Sequence, residues 1–445
     1  MTLDERLQNV AVIGAAGKMG SGIAVLIAQE MAKLKLKPEN NDKIYRLNLI
    51  DVSEKALDGM RLYMKTQLLK VAEKSTVTLR GIYEGREDLV ENAEIINAFV
   101  DDSYALLNFT TDIKVTKDAH LVFEAIFENE EIKIKVLKTL RELVNEDTLF
   151  MTNTSSIPIS YLDEKAGLGG RIIGYHFYNP PVIQRLVEVI AAKATTDELK
   201  DVAQELGKKL RKTLVSSSDI SGFIGNGHFS RDGLYALNEV ERLKDKYGYH
   251  GSIYIMNKIS QDFLVRPMGI FQLIDYVGID IIECLLRVMR THLDDESLTS
   301  SLIDKMANNK ILGGQYSSGA QKDGFLKYEK NRPVGVYNIE GGKYFSFDDE
   351  WRKNIDNDLG ILPEGYSPWR TLLSDAKKQD KLKAHFNNLK KMNTWGSKLA
   401  LSYLKKTKEV ALKLLSDGVT TSADEVNAIL TNGFYWLYGP INDYI

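Results

Sequence analysis

The sequence predicts an α/β chain, with a doubly wound parallel sheet first and mostly α-helical segments after it. Three observations carry this expectation. The apolar run Asn9-Val10-Ala11-Val12-Ile13 stops at Gly14, as a buried parallel strand does, and a glycine-rich turn then opens a helical stretch. Strand-like and helix-like stretches alternate over roughly the first 200 residues. From about Asp219 the texture changes to long stretches of helical periodicity.

The apolar stretch at residues 23–31 suits the first helix. Arg46-Leu47-Asn48-Leu49-Ile50 ends on Asp51 and reads as a second strand, and residues 33–42 before it look like an added loop. Ser53 is placed to cap the helix begun by Glu54-Lys55-Ala56. Further strands are expected at residues 120–124, 149–152 and 171–175. Helical periodicity runs through Met289 and returns from Asn393 to Asn432. The Gly-, Tyr-, Asp- and Lys-rich stretch between them reads as an insertion or elaborate connection. The expected domains are residues 1–215 for the sheet, 216–310 for a helical domain, 311–391 for the insertion, and 392–445 for a second, truncated helical copy. A weak repeat suggests that copy. Met256-Asn257-Lys258-Ile259 with Met268-Gly269 matches Val426-Asn427-Ala428-Ile429 with Tyr438-Gly439, each pair 170 positions apart (257 to 427).

Composition narrows the function. The 445 residues carry 58 Lys and Arg against 61 Asp and Glu, a net charge of −3, so a strongly basic nucleic-acid surface is not expected. The one cysteine, Cys284, forms no internal disulfide and no CxxC pair, and the 6 histidines show no HExxH spacing, so no metal site is expected. Met1 to Val10 lacks the apolar core of a leader, and no apolar run reaches the ~20 residues of a membrane span. A reduced, cytoplasmic protein without membrane attachment is the resulting expectation.

Several motifs can carry chemistry. In Gly14-Ala15-Ala16-Gly17-Lys18-Met19-Gly20, glycines let the backbone approach a pyrophosphate at a helix N-terminus. The usual GxGxxG spacing is altered, because Ala15 stands where the first glycine would fall. A purely structural turn is the alternative. Asp51 is placed to accept both hydroxyls of an adenosine ribose and to repel a 2′-phosphate, which favours NAD over NADP; its alternative is a helix-initiating aspartate. His176 ends a strand in Gly174-Tyr175-His176-Phe177-Tyr178-Asn179-Pro180, and Glu188 is a lone carboxylate in Leu186-Val187-Glu188-Val189-Ile190. Burying Glu188 unpaired would be costly, and an imidazole held by it would be a tuned general base. A structural His–Glu contact is the other reading. Asn153-Thr154-Ser155-Ser156 supplies hydrogen bonders or a capped turn, and Gly222-Phe223-Ile224-Gly225-Asn226 marks either a cleft or a hinge.

In this order, these blocks together with Glu124-Ala125-Ile126-Phe127-Glu128-Asn129 and Arg266-Pro267-Met268-Gly269 resemble the L-3-hydroxyacyl-CoA dehydrogenase family. The resemblance implies a Rossmann-type NAD-binding domain and NAD-dependent oxidation of (S)-3-hydroxyacyl-CoA thioesters, in fatty-acid β-oxidation or butyrate-type metabolism. By the same resemblance His176 is the catalytic base and Glu188 orients it. Ser155 and Asn226 hydrogen-bond the substrate, and Lys74 binds coenzyme A phosphates. Gly14, Gly17, Lys18, Met19, Gly20 and Asp51 hold NAD, with Glu128, Lys133 and Asn179 by its nicotinamide half. If the helical module is duplicated, its copies pack together as separate subunits do in single-module relatives, and a monomer is expected; otherwise a homodimer. Gly227-His228 after Asn226 departs from the family pattern. The rival readings are a related NAD-dependent dehydrogenase of a free hydroxy acid, and a non-catalytic NAD-binding family member.

Overall fold

Short apolar runs closed by glycine or polar residues build the sheet in the computed structural model of the chain, which describes residues 1–316 and 319–444. The chain divides into two compact units, Met1–Asp219 and Ile220–Ile445. Ser317 and Ser318 of the expected insertion, and Ile445 at the end of the expected second copy, lie outside the described residues.

The first unit opens with α1 (Leu3–Arg6), β1 (Asn9–Ile13), α2 (Lys18–Lys35), β2 (Arg46–Ile50) and α3 (Glu54–Lys74). It continues through α4 (Thr76–Ile82), α5 (Asn92–Ala105), β3 (Leu107–Thr110), β4 (Leu121–Glu124), α6 (Glu130–Leu143) and β5 (Leu149–Thr152). It closes with α7 (Ile159–Ala166), β6 (Ile172–Phe177), β7 (Leu186–Ile190), α8 (Asp197–Lys209) and β8 (Thr213–Ser217). The eight strands lie in the order β3-β2-β1-β4-β5-β6-β7-β8. Strands β1 to β6 are mutually parallel, β7 runs antiparallel to β6, and β8 is parallel to β7. Strand order reverses at β1, whose neighbours are β2 and β4, and ligands of such sheets bind beside that reversal at the carboxyl ends of the strands.

The expected strands are present, with shifts that matter. Strand β6 extends through Phe177, so His176 sits inside it rather than beyond it. Strand β7, whose Leu-Val-Glu-Val-Ile run is buried at every position, was expected only as a lone carboxylate among apolar neighbours. The edge strands β3 and β8 were not expected, because their half-exposed residues carry no continuous apolar run. Residues 33–42 are not simply a loop: α2 continues to Lys35, and one 3₁₀ turn, Pro38–Asn40, follows. Ser53 caps α3 as expected, its side chain accepting the N–H of Ala56.

The second unit begins with α9 (Gly225–Lys258), kinked where Gly248 takes φ 64° and ψ 173°. Then come α10 (Ile270–Val277), α11 (Ile279–Leu293) and α12 (Ser301–Asn308). Residues 311–391 contain a three-stranded antiparallel sheet, β9 (Leu326–Glu329), β10 (Arg332–Asn338) and β11 (Lys343–Ser346), in the order β11-β10-β9. Lys330 and Asn331, both at positive φ (50° and 62°), make the tight turn between β9 and β10. Helices α13 (Glu350–Leu359), α14 (Trp369–Leu373), α15 (Lys378–Lys391), α16 (Trp395–Ser416) and α17 (Ala423–Gly433) complete the unit. One apolar core draws on these segments apart from α17, from Phe229 through Phe325, Val336, Leu359 and Phe386 to Tyr438.

Positions 170 apart share geometry. Gly248 and Gly418 both have positive φ (64° and 72°), as do the non-glycine residues Val265 and Tyr435 (51° and 57°). Asn257 Oδ1 accepts the N–H of Phe271 (3.1 Å), and Asn427 Oδ1 accepts that of Ile441 (3.0 Å). A Cβ at Gly269 would collide with Asn257, and one at Gly439 with Asn427.

Candidate active site

Glycine is required where the turn after β1 meets β4. Gly14 has φ +77° and donates its N–H to the Ile50 carbonyl (2.9 Å), and a Cβ there would stand 2.7 Å from the Ala125 carbonyl oxygen. A Cβ at Gly20 would collide with the carbonyl oxygen of Gly14, so the first turn of α2 lies directly on this loop. Gly17 caps α2 with no side-chain hydrogen bond, and Lys18 and Met19 follow in the first helical turn. At the adjacent end of β2, Asp51 Oδ2 accepts the N–H of Ala16 (3.1 Å) and Oδ1 that of Ser53 (3.3 Å). The turn and Asp51 are thus joined at the carboxyl edge of the sheet.

Beyond β4 lies a buried charge cluster. The ammonium of Lys133, on the first turns of α6, is 2.8 Å from Glu124 Oε1, 3.0 Å from Glu124 Oε2 and 3.3 Å from Glu128 Oε2. Thr152 at the end of β5 donates to Glu124 Oε2 (2.6 Å). Glu128 Oε1 accepts from the backbone N–H groups of Ser155 (2.8 Å) and Ser156 (3.0 Å) and from the hydroxyls of Thr154, Ser155 and Ser156 (2.7, 3.1 and 2.9 Å). Burial works to push the Glu128 carboxyl up, but the Lys133 charge and these donors outweigh it and hold the carboxyl below its usual range. Burial likewise disfavours the Lys133 ammonium, yet Glu124 and Glu128 raise its affinity for the proton above the usual value. Glu128 and Lys133, expected beside a nicotinamide, therefore also hold the Ser155 turn in place.

Glu188 finds the partner its burial demands. The antiparallel register of β6 and β7 sets His176 opposite Glu188, and His176 Nδ1 lies 3.4 Å from Glu188 Oε2. The Glu188 side chain is 0% exposed and that of His176 11%. With Nδ1–H directed to the carboxylate, Nε2 is the nitrogen left to exchange a proton with a substrate. Asn153 Oδ1 accepts the N–H of Phe177 (2.8 Å), tying the end of β5 to the end of β6. Tyr178 donates its hydroxyl to Glu188 Oε2 (3.1 Å). Asn179 follows in the half-buried segment after β6.

The structure therefore brings the glycine turn, Asp51, Glu128, Lys133, Ser155 and His176 to the carboxyl ends of neighbouring parallel strands, with Glu188 beside His176 on the antiparallel β7. Lys74 is the exposed last residue of α3, and its expected role rests on the resemblance alone. Asn226 belongs to the second unit, where it is the half-buried second residue of α9. The structure also explains Gly227-His228. A Cβ at Gly227 would stand 3.1 Å from Leu414 of α16, and His228, fully buried, places Nε2 3.3 Å from the Thr407 carbonyl and its ring edge-on to Trp436. Burial pushes the His228 imidazole down to about 4, so it is neutral packing rather than a second base. Sequence reasoning missed the roles of Glu124, Thr152 and Tyr178. Glu124 carried a signal like that of Glu188, a lone acidic residue in an apolar strand, at its end rather than its middle.

Among the described residues, no group of three or more His, Cys, Asp or Glu could hold a metal ion, and no helix is long and apolar enough to cross a membrane. A sequence profile described as 3-hydroxyacyl-CoA dehydrogenase, NAD binding domain, matches residues 9–220, and one described as 3-hydroxyacyl-CoA dehydrogenase, C-terminal domain, matches residues 257–328. The chain is 32% identical over 319 residues to a probable 3-hydroxybutyryl-CoA dehydrogenase of Deinococcus radiodurans, covering 71% of this chain and 99% of that one. It is 29% identical to the 3-hydroxybutyryl-CoA dehydrogenase of Clostridioides difficile, covering 72% of this chain and 99% of that one. The crystal structure of 3-hydroxybutyryl-CoA dehydrogenase from Escherichia coli K12 shares the fold, with a TM-score of 0.64, 22% identity, and coverage of 98% of this chain and 90% of that one.

Proposed function

The chain belongs to the 3-hydroxyacyl-CoA dehydrogenase family, and we infer that it interconverts (S)-3-hydroxyacyl-CoA and 3-ketoacyl-CoA with NAD, in fatty-acid or butyrate metabolism. The observation that carries the chemistry is the register pairing of His176 with Glu188 at the sheet edge that also holds the glycine turn.

The residues present fit a dinucleotide. Gly14 and Gly20 leave bare backbone where any side chain would collide, at a helix N-terminus without a side-chain cap. Asp51 stands at the next strand end to take ribose hydroxyls and to repel a 2′-phosphate. Bound NAD supplies the acceptor for the C3 hydride. His176 Nε2 takes the proton of the 3-hydroxyl, while Glu188 keeps the Nδ1 proton in place and offsets the charge that forms on the ring. In the reverse direction the imidazolium returns that proton to the ketone oxygen. Ser155 stays anchored to Glu128 through its backbone N–H, and its hydroxyl turns its one proton from Glu128 to the substrate oxygen as charge develops there. Assigning Asn226 to the same oxygen and Lys74 to coenzyme A phosphates rests on the match to the family motifs.

The test is NADH consumption with acetoacetyl-CoA, set beside acetoacetate without coenzyme A and beside NADPH. Turnover is expected only with the thioester and NADH. Equal rates with the free acid would move the reading to a hydroxy-acid dehydrogenase, and absence of turnover with NADH still bound would move it to a non-catalytic role.

We also infer a duplicated helical module. What supports it is the shared geometry of positions 170 apart, together with the start of α9 at Gly225 and of α16 at Trp395. The faces of the two segments cover one another within one chain. Arg266 Nη1 bonds Asp232 Oδ2 (2.8 Å), while Thr407 of α16 donates to Asp232 Oδ1 (2.6 Å) and accepts from Arg266 Nη2 (2.8 Å). Sedimentation is expected to show a monomer; a stable dimer would count against this reading.

A further inference from the structure

We propose that Tyr178 is a positioning residue for proton transfer, its phenol pinning the one Glu188 oxygen that faces His176. The inference rests on His176 being the base. Tyr178 Oη donates to Glu188 Oε2 at 3.1 Å, and His176 Nδ1 lies 3.4 Å from that same oxygen. The two aromatic rings are 4.9 Å apart, on the residues either side of Phe177, where β6 ends.

Both groups meet Glu188 at the same oxygen, the phenol at 3.1 Å and the imidazole nitrogen at 3.4 Å. The phenol never stops donating. Burial, and then the charge of Glu188, push its ionisation well above the usual 10. It therefore keeps Glu188 oriented in both protonation states of His176. A donor to a fully buried carboxylate also offsets part of the cost of burying it.

Tyr178→Phe keeps the ring and removes only the donor. Its kcat for acetoacetyl-CoA reduction is expected to fall roughly tenfold, with KM for NADH and for the thioester unchanged. The downfield proton resonance of the His176 Nδ1–H, identified by its absence in a His176→Ala variant, is expected to move or broaden. In a Glu188→Gln background the same replacement is expected to change neither readout, because the phenol acts through that carboxylate. An unchanged kcat or an unmoved resonance in Tyr178→Phe overturns the proposal, and so does an additive loss in the Glu188→Gln background. If the unmodified protein reduces no acetoacetyl-CoA, the proposed function fails, while the resonance still tests whether Tyr178 holds the pair.

Discussion

Replacing His176 with alanine is expected to lower kcat by about 10²–10⁴-fold, the usual contribution of a positioned general base, while NADH affinity stays near that of the unmodified protein. The separation follows from the sheet. The glycine turn and Asp51 follow β1 and β2, and His176 lies on β6, with β4 and β5 between. The residues that fit the dinucleotide backbone thus do not depend on the imidazole. Steady-state turnover and NADH fluorescence titration on one preparation check both halves, and near-normal turnover in His176→Ala would remove this residue from the chemistry. Glu188→Gln is expected to lower kcat less than His176→Ala, since it leaves the proton acceptor but weakens its orientation and charge support.

The second large effect is on stability. Lys133→Met is expected to destabilise the first unit by about 3–5 kcal/mol, because it strands buried carboxylates that share one cation. Urea unfolding followed by a probe in that unit measures it, and a loss below about 1 kcal/mol would mean that the cluster behaves like a solvated pair. The pH dependence has a definite sign. Glu128 is held below its usual 4.5, so its stabilising contribution is present above that value and lost as pH falls through the depressed one. Lys133 is held above its usual 10.5, so its contribution is full below that value and lost at still higher pH. The cluster therefore supports the fold across the neutral range and weakens at both extremes. Because Glu128 also anchors the Ser155 turn, Lys133→Met is expected to lower turnover as well.

Much of the first unit was readable before any coordinates. The central strands β1, β2 and β5 fall on the residues expected for them, since a strand buried on both faces needs an unbroken apolar run. Edge strands lack that constraint, which is why β3 and β8 carried no comparable signal. Strand β7 had the apolar run, but its one acidic residue drew attention to function rather than to pairing. In the second unit, helical periodicity marked the long helices, while the β9–β11 sheet was hidden in a glycine-rich stretch read as a connection.

Among the site residues, burial cost made it possible to say that Glu188 must have a partner, and a strand end made His176 the natural candidate. The same argument applies to Glu124, whose partner is Lys133. Local pattern reaches this far because periodicity, capping and the cost of an unpaired charge all act over a few neighbouring residues. It does not reach the antiparallel register that sets His176 against Glu188, the phenol of Tyr178 on the same oxygen, or the shared cation of Lys133 between β4 and the Ser155 turn. Those are meetings of distant segments. A lone buried charge announces that a partner exists, and only packing in three dimensions selects which one.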